Sequence, residues 1–306
     1  MRKQFIKSAT ELLANTNPAS VLLLGDIGVH GFRDAFAQYP DRVYNIGILE
    51  QATVGMAAGL AMTGLRPIVH TIAPFMVERA YEQLKIDFGY QGLSGTFVSI
   101  GGSYDYSGLG CTHHCPGDVN LIENIDGFSI FVPGHPDELA MIFDQTKTWF
   151  GSKYIRLSET SNQSVIANSV MKPVTVRQGD SYHPVVVAVG PCLDMVLGAV
   201  GDMPVTVLYT VVVRPFPAHE LQLINKNVIV VEPYYSSQLA NRIAGCNTIY
   251  GWVVNARSFS LPRKFIREYG DPSRIGIKIG FYENALRETI KQWIKLPTSS
   301  DGMPRA

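Results

Sequence analysis

The sequence predicts an α/β fold built as two successive parallel-sheet α/β domains, and three observations predict it. The chain has 306 residues, more than one ordinary domain needs and comfortable for two. Short apolar, β-branched runs alternate with segments of helical period, the pattern of βα units in a parallel sheet. A polar, turn-rich stretch from 158 to 182 interrupts that alternation. The expected organisation is therefore a first domain over 1–160, a linker over 161–182 and a second domain over 183–306.

In order, the first domain reads as helix 3–15, strand Val21–Leu24 ending at Gly25-Asp26, a short helix near 31–38 and strand Arg42–Asn45. Helix 50–63, strand Pro67–Thr71, helix 74–89 and strand Thr96–Ile100 follow. A glycine-rich loop from Gly101 to Gly117 precedes helix 118–126, strand Ser129–Val132, helix 136–148 and strand Lys153–Leu157. The linker includes a short irregular strand. The second domain reads as strand Val185–Val189, helix 193–201, strand Val205–Leu208, helix 218–225, strand Val228–Val231, helix 236–244 and a last helix over 283–294 before a polar tail. In such sheets ligands bind beyond the carboxyl ends of the strands. The loops to inspect are thus Gly25–Gly31, Asn45–Glu50, Thr71–Phe75, Gly101–Gly117 and Arg156–Asn162.

Composition narrows the function. The chain is 46% hydrophobic and only 17% charged, below the usual quarter. That balance suggests surface buried against other subunits, a large core being the plainer alternative. Net charge is zero with no Lys/Arg run, which weighs against a nucleic-acid partner. No apolar run reaches membrane-spanning length, so no membrane association is expected. The longest such run, Val205 to Val213, reads as a buried strand. The amino terminus, MRKQFIKSATELL, lacks a signal-peptide core, and a soluble cytoplasmic protein is expected. Cys111, Cys115, Cys192 and Cys246 are then expected as free thiols.

Four segments carry chemistry. Asn45-Ile46-Gly47-Ile48-Leu49-Glu50-Gln51 puts a carboxylate at a strand-to-helix junction. The helix after it is so rich in Gly and Ala that a backbone or a flat cofactor could approach closely. Glu50 could equally be a first-turn acid favoured by the helix dipole. Pro74 suits a first helical turn, Phe75 could stack on a ligand and Arg79 could bind an anion; a core Phe and a surface Arg are the plain alternative. GGSYDYSGLGCTHHCPGD, over 101–118, is long and polar enough to be functional. Its Cys-Thr-His-His-Cys cluster fits no standard zinc spacing, so no metal site is assigned to this chain and a histidine acting on a sugar oxygen is the better reading. Arg156 ends a strand and could clamp a phosphate or form a structural ion pair.

Taken in order, Leu24-Gly25-Asp26, Arg42 through Gln51, Gly59 through Gly64 with Pro67, Phe75 with Arg79-Ala80 and Gln83, and Thr112-His113 resemble the pyrimidine-binding domain of transketolases and deoxyxylulose-phosphate synthases. The resemblance runs over about residues 10–160 and continues more weakly to 295 as a transketolase C-terminal domain. It implies thiamine diphosphate as cofactor. Glu50 would hydrogen-bond the pyrimidine ring and Phe75 stack on it, with Asp26, Ile48 and Arg79 also at the cofactor. His30, His113 and Arg156 would bind substrate, and Glu50 and His113 would be catalytic. A carboxyl group against the ring nitrogen favours the imino tautomer that accepts the thiazolium proton.

Two departures matter. The family's Gly-Asp-Gly…Asn diphosphate and Mg²⁺ site belongs to a domain this sequence does not contain, so an N-terminal transketolase subunit should supply it. An α2β2 heterotetramer is expected. Leu109 stands where many transketolases have an aspartate that reads a substrate hydroxyl. The implied reaction moves a two-carbon ketol unit from a ketose, as its phosphate, to an aldose. A 2-oxoacid dehydrogenase or decarboxylase β subunit, a non-catalytic scaffold and a zinc protein are the competing readings.

Overall fold

A computed structural model of the chain describes residues 1–14, 19–166, 170–218, 221, 226–245 and 254–294. Cys246, most of the helix expected over 218–225 and the tail after Ile294 lie outside the described residues. The rest forms two sheets.

The first sheet gathers β1 (Ser20–Leu24), β2 (Val43–Asn45), β3 (Arg66–Ile72), β4 (Thr96–Ile100), β5 (Phe128–Phe131) and β6 (Ser152–Arg156), all parallel, in the order β5-β6-β4-β3-β1-β2. β1, β3, β4 and β6 are buried along nearly their whole length, as befits parallel strands covered on both faces, whereas the edge strand β2 is exposed at Tyr44 and Asn45. Leu22, Leu23 and Leu24 are fully buried in β1, each contributing about 1.5–3 kcal/mol of hydrophobic stabilisation. The helices are α1 (Arg2–Ala14), α2 (Arg33–Gln38), α3 (Glu50–Met62), α4 (Asp118–Glu123) and α5 (Pro136–Thr146). His135 starts α5 by accepting from the Asp137 amide while Glu138 accepts from the His135 amide, a reciprocal cap. The helix expected over 74–89 is instead two π-helical turns, Phe75–Arg79 and Leu84–Tyr90, around a short α-turn at Tyr81–Gln83.

The second sheet has the order β12-β11-β8-β9-β7, from β7 (Val174–Arg177), β8 (Val185–Val189), β9 (Thr206–Thr210), β11 (Asn227–Tyr235) and β12 (Asn255–Leu261). Only β7, drawn from the stretch read as linker, runs antiparallel, pairing with β9 at the edge. Helices α6 (Leu193–Val200), α7 (Leu239–Gly245), α8 (Pro272–Ile279) and α9 (Glu283–Ile294) accompany it. The apolar run 205–213 is not one strand. Its last part opens β10 (Val212–Arg214), which leaves the second sheet and pairs antiparallel with β5 of the first. This crossing, together with β12 and α8, was not foreseen from the sequence.

Register brings the candidate loops together. Leu24 lies opposite both Asn45 and His70, Thr71 opposite Ser99, and Ser99 opposite Arg156. The carboxyl ends of β2, β1, β3, β4 and β6 therefore open onto one edge.

Candidate active site

The loop after β1 starts tightly packed against β3. A Cβ on Gly25 would lie 3.0 Å from Thr71 Cβ, a contact that β3 could meet only by shifting Thr71 slightly, so glycine suits the close approach there. Asp26 then takes φ +66°, a left-handed conformation that Asp tolerates better than most residues. Its amide donates to Asn45 Oδ1 at 3.0 Å, and Asn45 Nδ2 returns a bond to Asp26 Oδ1 at 3.2 Å. The two loops are thus tied, and Asn45 Oδ1 also accepts from the Gly47 amide at 3.2 Å. This turn projects Ile48, 66% exposed, and starts α3 at Glu50.

The Glu50 side chain is only 9% exposed, and its Oε1 lies 3.0 Å from Arg79 Nη1. Arg79 ends the π-helical turn that begins at Phe75, so the two are four residues apart. The guanidinium carbon lies 3.7 Å from the Phe75 ring centroid, a close cation–π contact. The Phe75 ring in turn meets the His113 ring edge-on, with centroids 5.2 Å apart. Glu50, Arg79, Phe75 and His113 form one continuous chain of contacts drawn from three segments: the start of α3, the π-helical turn after β3 and the loop after β4. Thr112 Oγ1 lies 2.9 Å from His113 Nδ1.

The loop holding His113 is pinned at its ends by an antiparallel bridge between Ser103 and Cys115. The second half of the chain buttresses it. The Tyr235 amide donates to the Pro116 carbonyl at 2.7 Å, and the Gly270 amide to the Ser107 carbonyl at 3.0 Å. Gly110 has φ +75°, and a Cβ there would lie 2.2 Å from the Tyr269 ring. The adjacent histidines diverge: His113 faces Phe75, whereas His114 is turned inward and buried, which lowers its basicity. Leu109 is 53% exposed on the same loop. Cys115 is buried with its Sγ 3.6 Å from Glu78 Oε1, and burial raises both groups' pKa values. No group of three or more His, Cys, Asp or Glu side chains among the described residues is arranged to hold a metal ion.

Two expected site residues stand apart. His30 lies on the exposed turn before α2, its Nδ1 2.8 Å from Arg33 Nη2. Arg156, expected to clamp a substrate phosphate, is corrected by its position: it is 1% exposed in the interior. Its Nε donates to Asp118 Oδ2 at 2.7 Å and its Nη2 to Ser103 Oγ at 2.8 Å and the Pro233 carbonyl at 3.3 Å. Tyr154 donates to the same Asp118 oxygen at 2.7 Å. Asp118 strengthens the protonation of Arg156 against the opposing effect of burial. Arg156 therefore ties β6, the His113 loop and β11 together, the structural ion pair that a strand-end arginine could equally form.

Sequence reading missed three contributors. Asp118 was passed over because a first-turn acid needs no special role. The Gly270 and Tyr269 buttress comes from a segment without periodicity. His70, a lone histidine in an apolar strand, lines the same small niche as Gly25, Glu50 and Thr71. Its Nδ1 lies 2.7 Å from the Val98 carbonyl, and burial lowers its pKa to about 4.

Known proteins share this fold and sequence. The family model described as "Transketolase, pyrimidine binding domain" matches residues 3–161. The chain is 42% identical over 241 residues to an uncharacterized 33.6 kDa protein in the fasciation locus of Rhodococcoides fascians, covering 75% of this chain and 74% of that one. It is 37% identical over 120 residues to an apulose-4-phosphate transketolase subunit of Actinobacillus succinogenes, 39% of each chain. A structure titled a split gene transketolase, inactive beta4 tetramer, superimposes with a TM-score of 0.80 at 20% identity, covering 96% of this chain and 98% of that one. The chain belongs to the family of transketolase pyrimidine-binding domains and is a transketolase C-terminal section.

Proposed function

We propose that this chain is the C-terminal subunit of a split, thiamine diphosphate-dependent transketolase, transferring a two-carbon ketol unit from a ketose phosphate to an aldose once joined by an N-terminal subunit. The observation that carries the reading is the continuous contact of Glu50, Arg79, Phe75 and His113 at the carboxyl edge of a pyrimidine-binding family sheet.

These residues fit the aminopyrimidine end of the cofactor. A shielded carboxylate at a helix start can share a proton with a ring nitrogen, and an aromatic face beside it can stack on the ring. When bound, thiamine diphosphate supplies the carbon nucleophile for ketol transfer. Glu50 holds the proton that sets the ring's tautomer. Arg79, in contact with both Glu50 and Phe75, positions the two groups that read the ring. His113, with Nδ1 engaged by Thr112, offers Nε2 to a substrate oxygen and stabilises charge there. Asp26 and Ile48, on the neighbouring loops, would complete the cofactor side of the site, and His30 is a candidate substrate ligand. The diphosphate and Mg²⁺ are assigned to the N-terminal partner, in an α2β2 assembly. The relative titled an inactive beta4 tetramer supports the reading that this half alone does not turn over.

The test is reconstitution with the N-terminal subunit and assay against a ketose phosphate and a 2-oxoacid in parallel. Ketol transfer to an aldose is expected. Release of CO₂ without transfer would give the chain to the 2-oxoacid dehydrogenases instead.

A further inference from the structure

The edge of the first sheet opposite the candidate active site holds a cavity of about 230 Å³ that the proposed chemistry does not use. It opens where the strands begin. Register sets Thr96 beside Lys153 and Ser20 beside Arg66, so β6, β4, β3 and β1 deliver an ammonium, two hydroxyls and a guanidinium to one rim. Lys147, at the end of α5, adds a third cation to the lining, and no carboxylate lines it.

The charges are unbalanced. Lys153 is only 8% exposed, and its one acceptor among the described residues is the Thr146 carbonyl, 2.7 Å from Nζ. An ammonium has three protons to donate. The carboxyl end of α5 favours that single contact through its dipole. It does nothing for Arg66, whose guanidinium has no hydrogen bond or ion pair among the described residues. Burial, and then the Arg66 charge, lower the Lys153 pKa to about 8. Asp144, near this edge, is already committed to Lys147 at 2.7 Å. The undescribed residues 15–18, Asn-Thr-Asn-Pro, contain no carboxylate. Glu11 and Asp144 line the adjoining hollow, which shares Lys147 with this one. Two neighbouring cations, one of them buried, thus face a cavity of mixed polar and apolar lining that itself holds no carboxylate.

We propose that this cavity is a second binding site, distinct from the catalytic edge, that takes a small oxyanion of the phosphate class between Arg66 and Lys153. Arg66 offers a planar pair of donors matched to two phosphate oxygens, Lys153 offers a point charge, and Ser20 and Thr96 can donate hydroxyl hydrogens. Arg66 and Lys153 would both gain the counter-charge they lack. The anion would therefore stabilise the sheet at the end remote from catalysis.

The experiment is thermal unfolding of the purified full chain against inorganic phosphate, with sodium chloride at matched ionic strength as control. A saturable rise in Tm of about 2 °C is expected at ten times the dissociation constant, and none with chloride. Arg66→Gln and Lys153→Met should each weaken binding about 10-fold, the size of one lost charge-assisted contact. His113→Ala should keep the full shift, which separates this site from the catalytic loop. A parallel titration with glucose 6-phosphate distinguishes the source: tighter binding of the ester identifies an organic phosphate, equal or weaker binding the free ion. Should Lys153→Met fail to fold, Arg66→Gln and ³¹P line broadening on the wild-type chain decide alone. A shift of equal size in Arg66→Gln, or one matched by chloride, overturns the proposal.

Discussion

Arg79 Nη1 lies 3.0 Å from Glu50 Oε1 while its guanidinium carbon covers the Phe75 ring at 3.7 Å. One half-exposed cation therefore touches both side chains assigned to the aminopyrimidine. The pair is not a large source of stability, since a partly exposed ion pair contributes about 0.2–1 kcal/mol. Its consequence is positional.

Replacing Arg79 by Met should therefore leave folding intact and loosen the cofactor site. The dissociation constant of thiamine diphosphate in the reconstituted pair should rise about 3–10-fold, matching roughly 1 kcal/mol from a lost cation–π contact and ion pair. Fluorescence titration measures it. An unchanged or lower constant would remove Arg79 from the site.

Arg156 and Asp118 should behave as a buried pair. Arg156→Met leaves Asp118, which is 0% exposed, without its counter-ion, and should cost about 3–5 kcal/mol in urea unfolding. Adding Asp118→Asn should recover part of that loss, because the uncompensated charge is gone. A single variant as stable as wild type would show that Arg156 is not the tie between β6, the His113 loop and β11.

His70 gives a pH signature. Its pKa is lowered by burial from the ordinary 6.5 to about 4. Between those values the unfolded chain binds a proton that the folded chain refuses. The stability from keeping this ring neutral is thus fully present above pH 6.5 and is lost as pH falls toward 4. Relative to His70→Leu, wild type should lose about 1.4 kcal/mol per pH unit across that window. Urea midpoints at pH 7, 6 and 5 report the difference, and parallel profiles for the two proteins would contradict it.

The sequence made the strands legible where apolar runs were short and bounded by turns. Thr96–Ile100 and Val185–Val189 fall where the pattern puts them. It failed at Val205–Val213, because hydrophobicity reports burial but not which sheet does the burying, and the chain changes sheets within that run. It failed over Phe75–Tyr90 because α and π turns share an apolar period too similar to separate. At the candidate site, the order of the segments singled out Glu50, Phe75, Arg79 and His113, and the fold brings these four side chains into contact. Arg156 went to the interior because a strand-end arginine has the same local sequence whether it faces a ligand or Asp118. His70 was missed because one histidine in an apolar strand carries no spacing signal.

The most direct measurement is the turnover of Glu50→Gln in the reconstituted enzyme, with assembly checked by size-exclusion chromatography. A carboxylate that shares a proton with the cofactor ring should be irreplaceable by an amide, so kcat should fall about 10²–10⁴-fold while the complex forms normally. Ketol transfer within twofold of wild type, from an intact complex, would contradict the assignment of Glu50 and the reading built on it.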